Sequence, residues 1–410
     1  MKFDFKNQRI LITQPLVHGI NGSTLVTLEL ANFLQSRGAK VKVYTYTLDN
    51  PAKSLYEKRN IHVDSAQQNP DYKLSDFDYI WINSQTLPES LVRDLGQKHT
   101  RMPRFIFLHM SSMDWIPDEH PYIFGLEEKL ACKTLYICEE VRKSNLDYFN
   151  KEPDYAYFRN PAPMNFLREK TNRKTSLKQI LFVSNYLPEE LREAKTLLEQ
   201  KGVSVKILGE NEDEYTLLDE SILSKYDAVV SIAKTVHYCL VHNTPVYVYG
   251  KFGGCGWLNS DNYERAKETN FCGSYGFNNK TTKKIIEEIE GGFLDAQEYQ
   301  NRNLQSFQQE FLISNVIENI FANCRLPKPV HFSKSYINAL SSAQQFAAVR
   351  FGEWSNVWKL VNDIRDRDND IMRKDKYIND LKRQIKNKND ILNSRSVKAW
   401  LKINRALRRK

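Results

Sequence analysis

Two glycine-containing stretches of the sequence combine residue types that could bind an anion. In the stretch 227–258, a short apolar run ends just before Lys234 and Thr235, where a helical pattern begins. A lysine at a helix start sets an ammonium group beside unpaired backbone amides, which suits a phosphate or diphosphate. The next apolar run leads into Gly253 and Gly254, which would let a ligand approach the backbone. The alternative for Lys234 is an exposed lysine at a helix start.

The other stretch, VHGINGSTLV at 17–26, follows an apolar run and opens a helical pattern. Gly22 and Ser23 lie where the free N–H groups of a helix start would attract an anion. The spacing is not the G-x-G-x-x-G pattern of dinucleotide-binding proteins, and no acidic residue ends the second strand. The alternative is a tight strand-to-helix turn in which Ser23 or Thr24 caps the helix.

A histidine, His109, ends the apolar run FIFLH and precedes a polar loop. A titratable group at the carboxyl end of a strand is well placed to contact a ligand in parallel α/β proteins. The alternative is a histidine that only satisfies a loop; Asp114, His120 and His18 are weaker candidates. The D-x-D motif at 76–78 precedes a strand, away from the ligand-binding ends, and we assign it to structure. No cluster of His, Cys and carboxylates has metal-site spacing, so we expect neither a metal nor another cofactor.

These residues lie in a chain whose apolar runs alternate with helical patterns, which predicts a parallel α/β fold. The predicted strands are 9–14, 41–46, 79–83, 105–109, 135–138, 180–184, 203–208, 228–232 and 245–249. The predicted helices are 89–95, 123–130, 139–149, 188–200, 235–242 and 281–290, and another follows the first glycine loop. Prolines and a polar stretch separate two sets of elements, which indicates a domain boundary. We therefore predict two Rossmann-like domains that face a cleft, at 1–165 and 166–325, followed by a helical tail at 326–410.

The net charge of +9 is carried by the C-terminal tail. Residues 363–410 hold 16 Lys and Arg against 7 Asp and Glu, and the rest of the chain is neutral. This excludes a basic globular domain wrapped on nucleic acid, whose positive patch would lie in the body. Apolar residues recur every seven positions in the tail, as at the a positions of a coiled coil. They are Val357, Ile364, Ile371, Ile378, Ile385 and Leu392. Because the d positions are only partly apolar, we expect a helix over 357–392 rather than a stable isolated coiled coil. The helix remains a candidate surface for an oligomer.

The last segment, 394–410, has seven basic residues and no acid. Apolar residues on one helical face and basic residues elsewhere predict a peripheral helix on an anionic membrane surface. The expected contacts are Trp400, Leu401, Lys402, Arg405, Arg408 and Arg409. The alternative is a solvated basic end or a tail that binds RNA.

The six cysteines include no C-x-x-C pair, and several lie in apolar runs where a free thiol behaves as a small hydrophobe. A reducing cytosol fits this usage best. The N-terminus lacks the apolar core of a signal peptide, and no run is long enough to span a bilayer. We therefore expect a cytoplasmic protein that is peripheral at the inner face of the cell membrane.

Five segments between roughly Arg9 and Cys324 resemble GT-B glycosyltransferases, most closely the retaining family-four type. NGSTLVTLELANFLQSRGAKVKVYTY resembles the glycine loop, first helix and second strand. FIFLH resembles the strand whose final histidine, here His109, lies near the donor sugar. FRNPAPMNF, with Asn160 and Pro161, resembles the segment that leads into the second domain. ILFVSNYLPEEL and HYCLVHNTPVYVY resemble the first strand and loop of the donor domain, and the helix and strand under the nucleotide.

The resemblance implies transfer of a sugar from a nucleotide diphosphate sugar to an acceptor, with retention and without an obligatory metal. The acceptor would lie on domain 1–165 and the nucleotide on domain 166–325, with His109 as the catalytic residue. The expected donor-binding residues are Gly22, Ser23, Ser184, Asn185, Lys234, Thr235, Tyr238, Gly253 and Gly254.

The sequence departs from the family at the donor site. Tyr238 stands where a glutamate usually binds the ribose, and Val230 stands at the partner glutamate eight residues earlier. Ser-Asn-Tyr occupies 184–186, where an arginine and a lysine usually follow the strand. Lys234 could supply the charge that the diphosphate needs.

Three functions follow as hypotheses. The first is a hexosyltransferase that acts on a lipid-linked or cell-surface polysaccharide precursor, to which a membrane-binding tail would give access. The second is a non-catalytic GT-B partner subunit or glycan-binding scaffold, which the missing glutamates favour. The third is a sugar-nucleotide epimerase of the same architecture, against which the tail argues.

Overall fold

The computed structural model describes residues 3–113, 123–169, 174–210, 212, 214–273 and 279–393. The chain divides into two compact units, Met1–Phe351 and Gly352–Lys410. The first unit contains a seven-stranded and a five-stranded sheet, each mostly parallel and each accompanied by helices. The predicted α/β class with two sheets and a helical C-terminal stretch is confirmed.

The first sheet has the strand order β3-β2-β1-β4-β5-β6-β7, and its neighbouring strands are all parallel. Its strands are β1 Arg9–Val17, β2 Lys40–Leu48, β3 Val63–Ser65, β4 Tyr79–Asn83, β5 Arg104–His109, β6 Ala131–Tyr136 and β7 Tyr155–Tyr157. The helices between them are α1 Gly22–Ser36, α2 Ala52–Glu57, α3 Glu89–Leu95, α4 Phe124–Leu130 and α5 Glu139–Asn145.

A buried polar network holds α1 to the centre of this sheet. Thr27 of α1 and Asn83 at the end of β4 both donate to Gln14 Oε1 of β1, over 3.0 and 3.2 Å. Asn83 also donates to Thr27 Oγ1 over 2.9 Å. Since each buried group has a partner, the network fixes α1 without leaving an unsatisfied polar atom at these positions. It therefore sets the position of the glycine loop that precedes α1.

The second sheet has the order β12-β11-β10-β8-β9, in which only β12 is antiparallel to its neighbour. Its strands are β8 Gln179–Val183, β9 Ser204–Leu208, β10 Ala228–Ser231, β11 Val246–Gly250 and β12 Gly253–Trp257. Its helices are α6 Glu189–Gln200, α7 Glu220–Leu223, α8 Lys234–His242, α9 Tyr263–Glu268 and α10 Thr282–Phe311.

The chain crosses twice between the two sheets, and the crossings are bonded to each other. The Ala162 amide donates to the Phe311 carbonyl over 2.7 Å, and the Ile313 amide donates to the Ala162 carbonyl over 2.9 Å. After the second crossing, helix α11 (Ile313–Ala322) buries Ile317 and Phe321 in the core of the first sheet. Residues that follow the second sheet in the chain therefore complete the hydrophobic core of the first sheet.

The structure contains a disulfide that the spacing of the cysteines did not predict. Cys132 of β6 and Cys324, after α11, form a disulfide whose Cα atoms are 5.1 Å apart. The two residues are 192 positions apart in the sequence, so only the fold brings them together. Cys138, Cys239 and Cys255 are free thiols.

The last helix, α12, runs over Lys334–Asn393 and includes the predicted heptad positions. Its first residues, up to Phe351, belong to the first unit, where Ile337 and Leu340 lie in the core of the first sheet. In the second unit the apolar side chains at the a positions from Val357 to Ile385 are exposed. Among the described residues, no helix is both long enough and apolar enough to cross a membrane.

Candidate functional site

A cavity of about 330 Å³ opens where loops of the two sheets meet. From the first sheet it is lined by the loop between β1 and α1 and by Leu25. From the second sheet it is lined by residues that follow the carboxyl ends of β8, β9, β10 and β11. This is the edge at which open parallel sheets bind ligands, and the volume is that of a small-molecule site.

Six of the nine predicted donor-binding residues line this cavity. They are Gly22, Ser184, Asn185, Lys234, Thr235 and Tyr238. Ser23 is not among the lining residues; its hydroxyl donates to Asn21 Oδ1 over 3.0 Å. Asn21, rather than Ser23 or Thr24, caps α1 by accepting from the Thr24 amide over 3.0 Å.

Gly253 and Gly254 lie in β12, away from the cavity lining. A Cβ atom at Gly254 would stand 2.0 Å from the Val248 carbonyl oxygen of β11. The close approach of the two antiparallel strands therefore requires a glycine at position 254. Gly209, in contrast, lines the cavity. A Cβ atom there would stand 1.8 Å from the Ser184 carbonyl oxygen, so the backbone can approach this closely only at a glycine.

The Lys234 ammonium is engaged in an ion pair that joins the two halves of the unit. Lys234 Nζ lies 2.7 Å from Glu29 Oε2 of α1, and the two side chains are only 8% and 13% exposed. Tyr238, one turn further along α8, donates its hydroxyl to the other oxygen of Glu29. Burial raises the pKa of Glu29, against the opposing effects of the Lys234 charge and the Tyr238 hydroxyl. The alternative of an exposed lysine at a helix start therefore does not hold, and the donor-binding role of Lys234 stays a prediction.

The turn before Lys234 has an uncommon backbone conformation. Ala233 has φ 52° and ψ −127°, a region that side chains other than glycine rarely adopt. Its amide is held by the Phe271 carbonyl over 3.0 Å, and its side chain offers no cap to α8. Strained residues of this kind cluster at ligand sites, and this one aims the start of α8 at the cavity.

Direct hydrogen bonds close the cavity on the side of the glycine loop. The Ile20 amide donates to the Tyr215 hydroxyl over 2.8 Å, and Asn185 Nδ2 donates to the Ile20 carbonyl over 3.2 Å. Asn185 Oδ1 also accepts from the Glu210 amide over 3.1 Å. The Asn185 side chain thus bridges the two halves of the unit in this structure.

The lining of the cavity favours an anionic, partly aromatic ligand. Among the described lining residues there are two lysines, Lys234 and Lys251, and no carboxylate. Tyr186 and Phe252 also line it and are 66% and 41% exposed. Lys251 Nζ lies 5.6 Å from the centre of the Tyr186 ring and 5.7 Å from that of Phe252. Exposed rings next to a cation offer a flat surface on which a planar base can stack.

His109 ends β5 as predicted but is not a lining residue of the cavity. It is 2% exposed, and its Nε2 lies 3.1 Å from Oε1 of Glu127, which is fully buried. Thr134 of β6 donates to the same carboxylate oxygen over 2.6 Å. His109 Nδ1 is buried and makes no hydrogen bond with the described residues. The catalytic role of His109 stays a prediction.

His237 is a buried histidine of α8 that sequence reasoning missed. Its ring packs edge-on against Phe271 and Phe311, with centroids 5.2 and 4.9 Å away. Burial lowers the pKa of His237 to about 3, and the charges of Lys234 and Arg159 act in the same direction. His237 is therefore neutral at physiological pH.

Some predicted residues lie outside the described ranges. These are Asp114, His120 and the expected membrane contacts Trp400, Leu401, Lys402, Arg405, Arg408 and Arg409. Within the described residues, no group of three or more His, Cys, Asp or Glu is placed to hold a metal ion. The D-x-D motif is engaged in structure: Asp78 accepts from the Arg9 amide and side chain over 3.0 and 3.2 Å.

Four residues at the site were not predicted from the sequence: Glu29, Tyr215, Lys251 and Phe252. Glu29 carried a usable signal, because it is an acid between Leu28 and Leu30 in the predicted apolar stretch of the first helix. An acid in such a position needs a partner. Tyr215 and the pair Lys251–Phe252 lie in loops without periodicity, so nothing in the sequence singled them out.

No family model matches the chain, and no curated protein matches its sequence. Solved structures to which the chain is similar include the following three. A glycosyltransferase from Rickettsia africae ESF-5 has a TM-score of 0.48 and 11% identity, over 77% of this chain and 98% of its own. An alpha-glucosyltransferase in complex with UDP-glucose and DNA containing an abasic site has a TM-score of 0.48 and 11% identity, over 77% and 99%. The lipopolysaccharide outer core galactosyltransferase WaaB has a TM-score of 0.44 and 8% identity, over 77% and 98%. At these values the likeness assigns no activity to this chain.

The buried His237 should make the unfolding free energy depend on pH. Its folded pKa of about 3 lies below the unfolded value of 6.5, so its contribution is present above pH 6.5 and is lost as the pH falls toward 3. In wild type, His237 should lower the free energy of unfolding by up to about 1.4 kcal/mol for each pH unit below 6.5. This contribution should be absent from His237→Leu. Urea denaturation of wild type and variant at several pH values between 7 and 4 measures the difference. Parallel pH profiles, whatever the offset between them, would contradict the assignment.

Proposed function

We propose that the chain is a glycosyltransferase that uses a nucleotide diphosphate sugar as donor. The observation that carries the proposal is the lining of the cavity. The described lining residues include two lysines and two exposed aromatic rings, and none of them is a carboxylate. A nucleoside diphosphate has a flat base and a dianionic bridge, which match the rings and the ammonium groups. The position at the carboxyl ends of four strands supports the same ligand class.

Within this site, the diphosphate would be bound at the start of α8. Lys234 supplies an ammonium there, and the first amides of α8 point to the same end of the helix. Glu29 would balance the Lys234 charge and fix its position until the ligand arrives. Tyr186 and Phe252, which line the same cavity beside Lys251, would hold the base.

We further propose transfer of a hexose with retention to a lipid-linked or cell-surface polysaccharide precursor. The support is the resemblance of five sequence segments to retaining GT-B glycosyltransferases. In this proposal His109 is the catalytic residue. Ser184, Thr235 and Gly22, which line the cavity, belong to the same donor site. The acceptor would lie on the side of the first sheet.

A second candidate function is a non-catalytic subunit that binds a nucleotide sugar or a glycan without transfer. The burial of His109 against Glu127 favours it, because neither residue reaches the cavity in this structure. Turnover separates the two functions. A transferase should slowly hydrolyse a bound donor or transfer its sugar to an acceptor, whereas a scaffold binds the donor and leaves it intact.

We also propose that residues 394–410 bring the protein to the inner face of the cell membrane. Their seven basic residues, together with Trp400 and Leu401, have the composition of a peripheral membrane helix. A membrane position would place the donor site near a lipid-linked acceptor.

Lys234→Met should weaken binding of a nucleotide diphosphate sugar by about 10- to 100-fold, because a charge-assisted hydrogen bond contributes about 1.5–3 kcal/mol. A panel of UDP-, GDP-, ADP- and dTDP-sugars is first screened by thermal shift. Calorimetry then gives the affinity for the sugar nucleotide that raises the melting temperature most.

Lys225→Met is the matched control for this experiment, since Lys225 is exposed and lies outside the cavity lining. The melting temperature of each variant shows whether it is folded. The diphosphate role fails if both variants bind with wild-type affinity. The donor-site proposal itself fails if no sugar nucleotide in the panel shifts the wild-type melting temperature.

Deletion of residues 394–410 should abolish binding to vesicles that contain anionic lipid and leave donor binding unchanged. Each basic residue near such a surface contributes about 1 kcal/mol to the free energy of membrane binding, so the deletion should weaken binding strongly. Because this attraction is electrostatic, added salt should weaken the binding of the wild-type chain. Vesicle co-sedimentation measures the effect, with neutral vesicles as the control. Equal sedimentation of the full and shortened chains would overturn the membrane assignment.

A further inference from the structure

We propose that the C-terminal helix is a two-stranded, parallel and in-register interface between two copies of this chain. The interface consists of the heptad stripe, defined as the a positions Val357, Ile364, Ile371, Ile378 and Ile385 with the d positions Leu360 and Leu381. This inference does not depend on the proposed enzymatic function, because it concerns a surface of the second unit alone.

The first argument is the exposure of the heptad stripe. Its seven side chains are between 38% and 62% exposed along one helix. Apolar residues exposed singly are common, but a continuous apolar row at a seven-residue spacing marks an association surface. The row extends over residues 357–385, about 44 Å of helix, which is about four heptads.

The second argument concerns the chemistry of the layers and selects the parallel orientation. In a parallel, in-register pair, a residues pack against a residues and d residues against d residues. All a layers are then apolar, from Val357 onward. In an antiparallel pair that overlaps the whole stripe, a residues would face d residues, and Ile378 would be buried against a cation from the d row, which holds Arg367, Lys374 and Lys388. Burial of an unpaired charge against an apolar side chain is costly.

The third argument is charge complementarity at the basic d positions. Arg367 and Lys374 are each followed directly by an acid at position e, Asp368 and Asp375. All four side chains are exposed in the single chain. A side chain at d packs into a hole of the partner helix that includes its e residue. The partner's Asp368 and Asp375 would therefore neutralise the two cations, which would otherwise repel their own copies across the seam.

The choice of two strands follows from the residue types at the stripe. β-Branched residues occupy the a positions from 357 to 385, and leucine occupies the apolar d positions. This combination favours a dimer over trimers and tetramers. The basic d residues also favour a dimer. In a trimer, each layer formed by Arg367 or by Lys374 would contain three cations instead of two.

The test compares the full chain with two matched double variants by analytical ultracentrifugation over a range of concentrations. Wild type should have twice the 48.0 kDa mass of one chain. Ile371→Asp/Ile378→Asp should raise the dimer dissociation constant by at least about 100-fold, since it places four carboxylates in the seam. Met372→Asp/Asn379→Asp adds the same charges at the adjacent b positions, outside the stripe, and should stay dimeric.

Orientation is tested with Val357→Cys under mild oxidation by glutathione disulfide. A parallel pair places the two introduced thiols in one layer, where they should form a reducible covalent dimer that the wild-type chain does not form. In an antiparallel pair, residue 357 would face the far end of the stripe, about 50 Å away, and no such dimer should appear.

A wild-type mass of one chain at every concentration would overturn the inference, and so would dissociation of both double variants. A trimer or tetramer would overturn the two-stranded arrangement. A dimeric wild type whose Val357→Cys variant forms no cross-link would overturn the parallel one. If the wild-type chain is monomeric and the Ile371→Asp/Ile378→Asp variant loses binding to lipid vesicles, the stripe covers a lipid surface instead of a second copy.

Discussion

The contact among Glu29, Lys234 and Tyr238 is the interaction on which the candidate site depends. It joins α1, which belongs to the first sheet, to α8, which belongs to the second. Two nearly buried charges are taken out of water here. The attraction over 2.7 Å and the Tyr238 hydroxyl oppose the desolvation, which still raises the pKa of Glu29. Removal of one partner alone would leave the other charge buried, which costs about 3–5 kcal/mol. A contact of this kind is specific for one arrangement of the two helices.

The rest of the first unit holds the two helices where this contact can form. The network of Gln14, Thr27 and Asn83 fixes α1 on its sheet. The crossings bonded at Ala162 keep the sheets together, and Lys234 Nζ approaches the Pro161 carbonyl of the same segment at 3.5 Å. The strained turn at Ala233 then aims α8 at the cavity. The cavity is thus a consequence of how the two halves are joined, and both halves line it.

Much of the fold could be predicted from the sequence because its strands are apolar runs and its helices have clear ends. Tyr79–Asn83 and Glu89–Leu95 match the predicted bounds, and β1 and β2 were found with shorter limits. Three strands were missed: β3 and β7 have only three residues each, and β12 consists largely of glycine. Helix α10 extends to Phe311, well beyond its predicted end at 290, because its burial depends on partners distant in sequence.

At the candidate site too, local sequence signals pick out some residues, whereas other contacts depend on the fold. Lys234, Thr235 and Gly22 were found because a helix start has a local signature. Gly253 and Gly254 have an equally strong local signature, yet they serve the pairing of β11 and β12, which only the fold specifies. The partner of Lys234 lies 205 residues earlier, so its pairing with Glu29 could not be predicted from spacing.

A double-mutant cycle on nucleotide affinity tests the central claim, that Lys234 faces the diphosphate while Glu29 balances its charge. Calorimetry would compare wild type, Glu29→Gln, Lys234→Met and the double variant with the donor found by screening. Loss of the Glu29 charge should strengthen diphosphate binding when Lys234 is present and have no effect in the Lys234→Met background, a coupling of about 0.5–3 kcal/mol. Effects that add within about 0.3–0.5 kcal/mol would contradict the account, because the two residues would then act on the ligand independently.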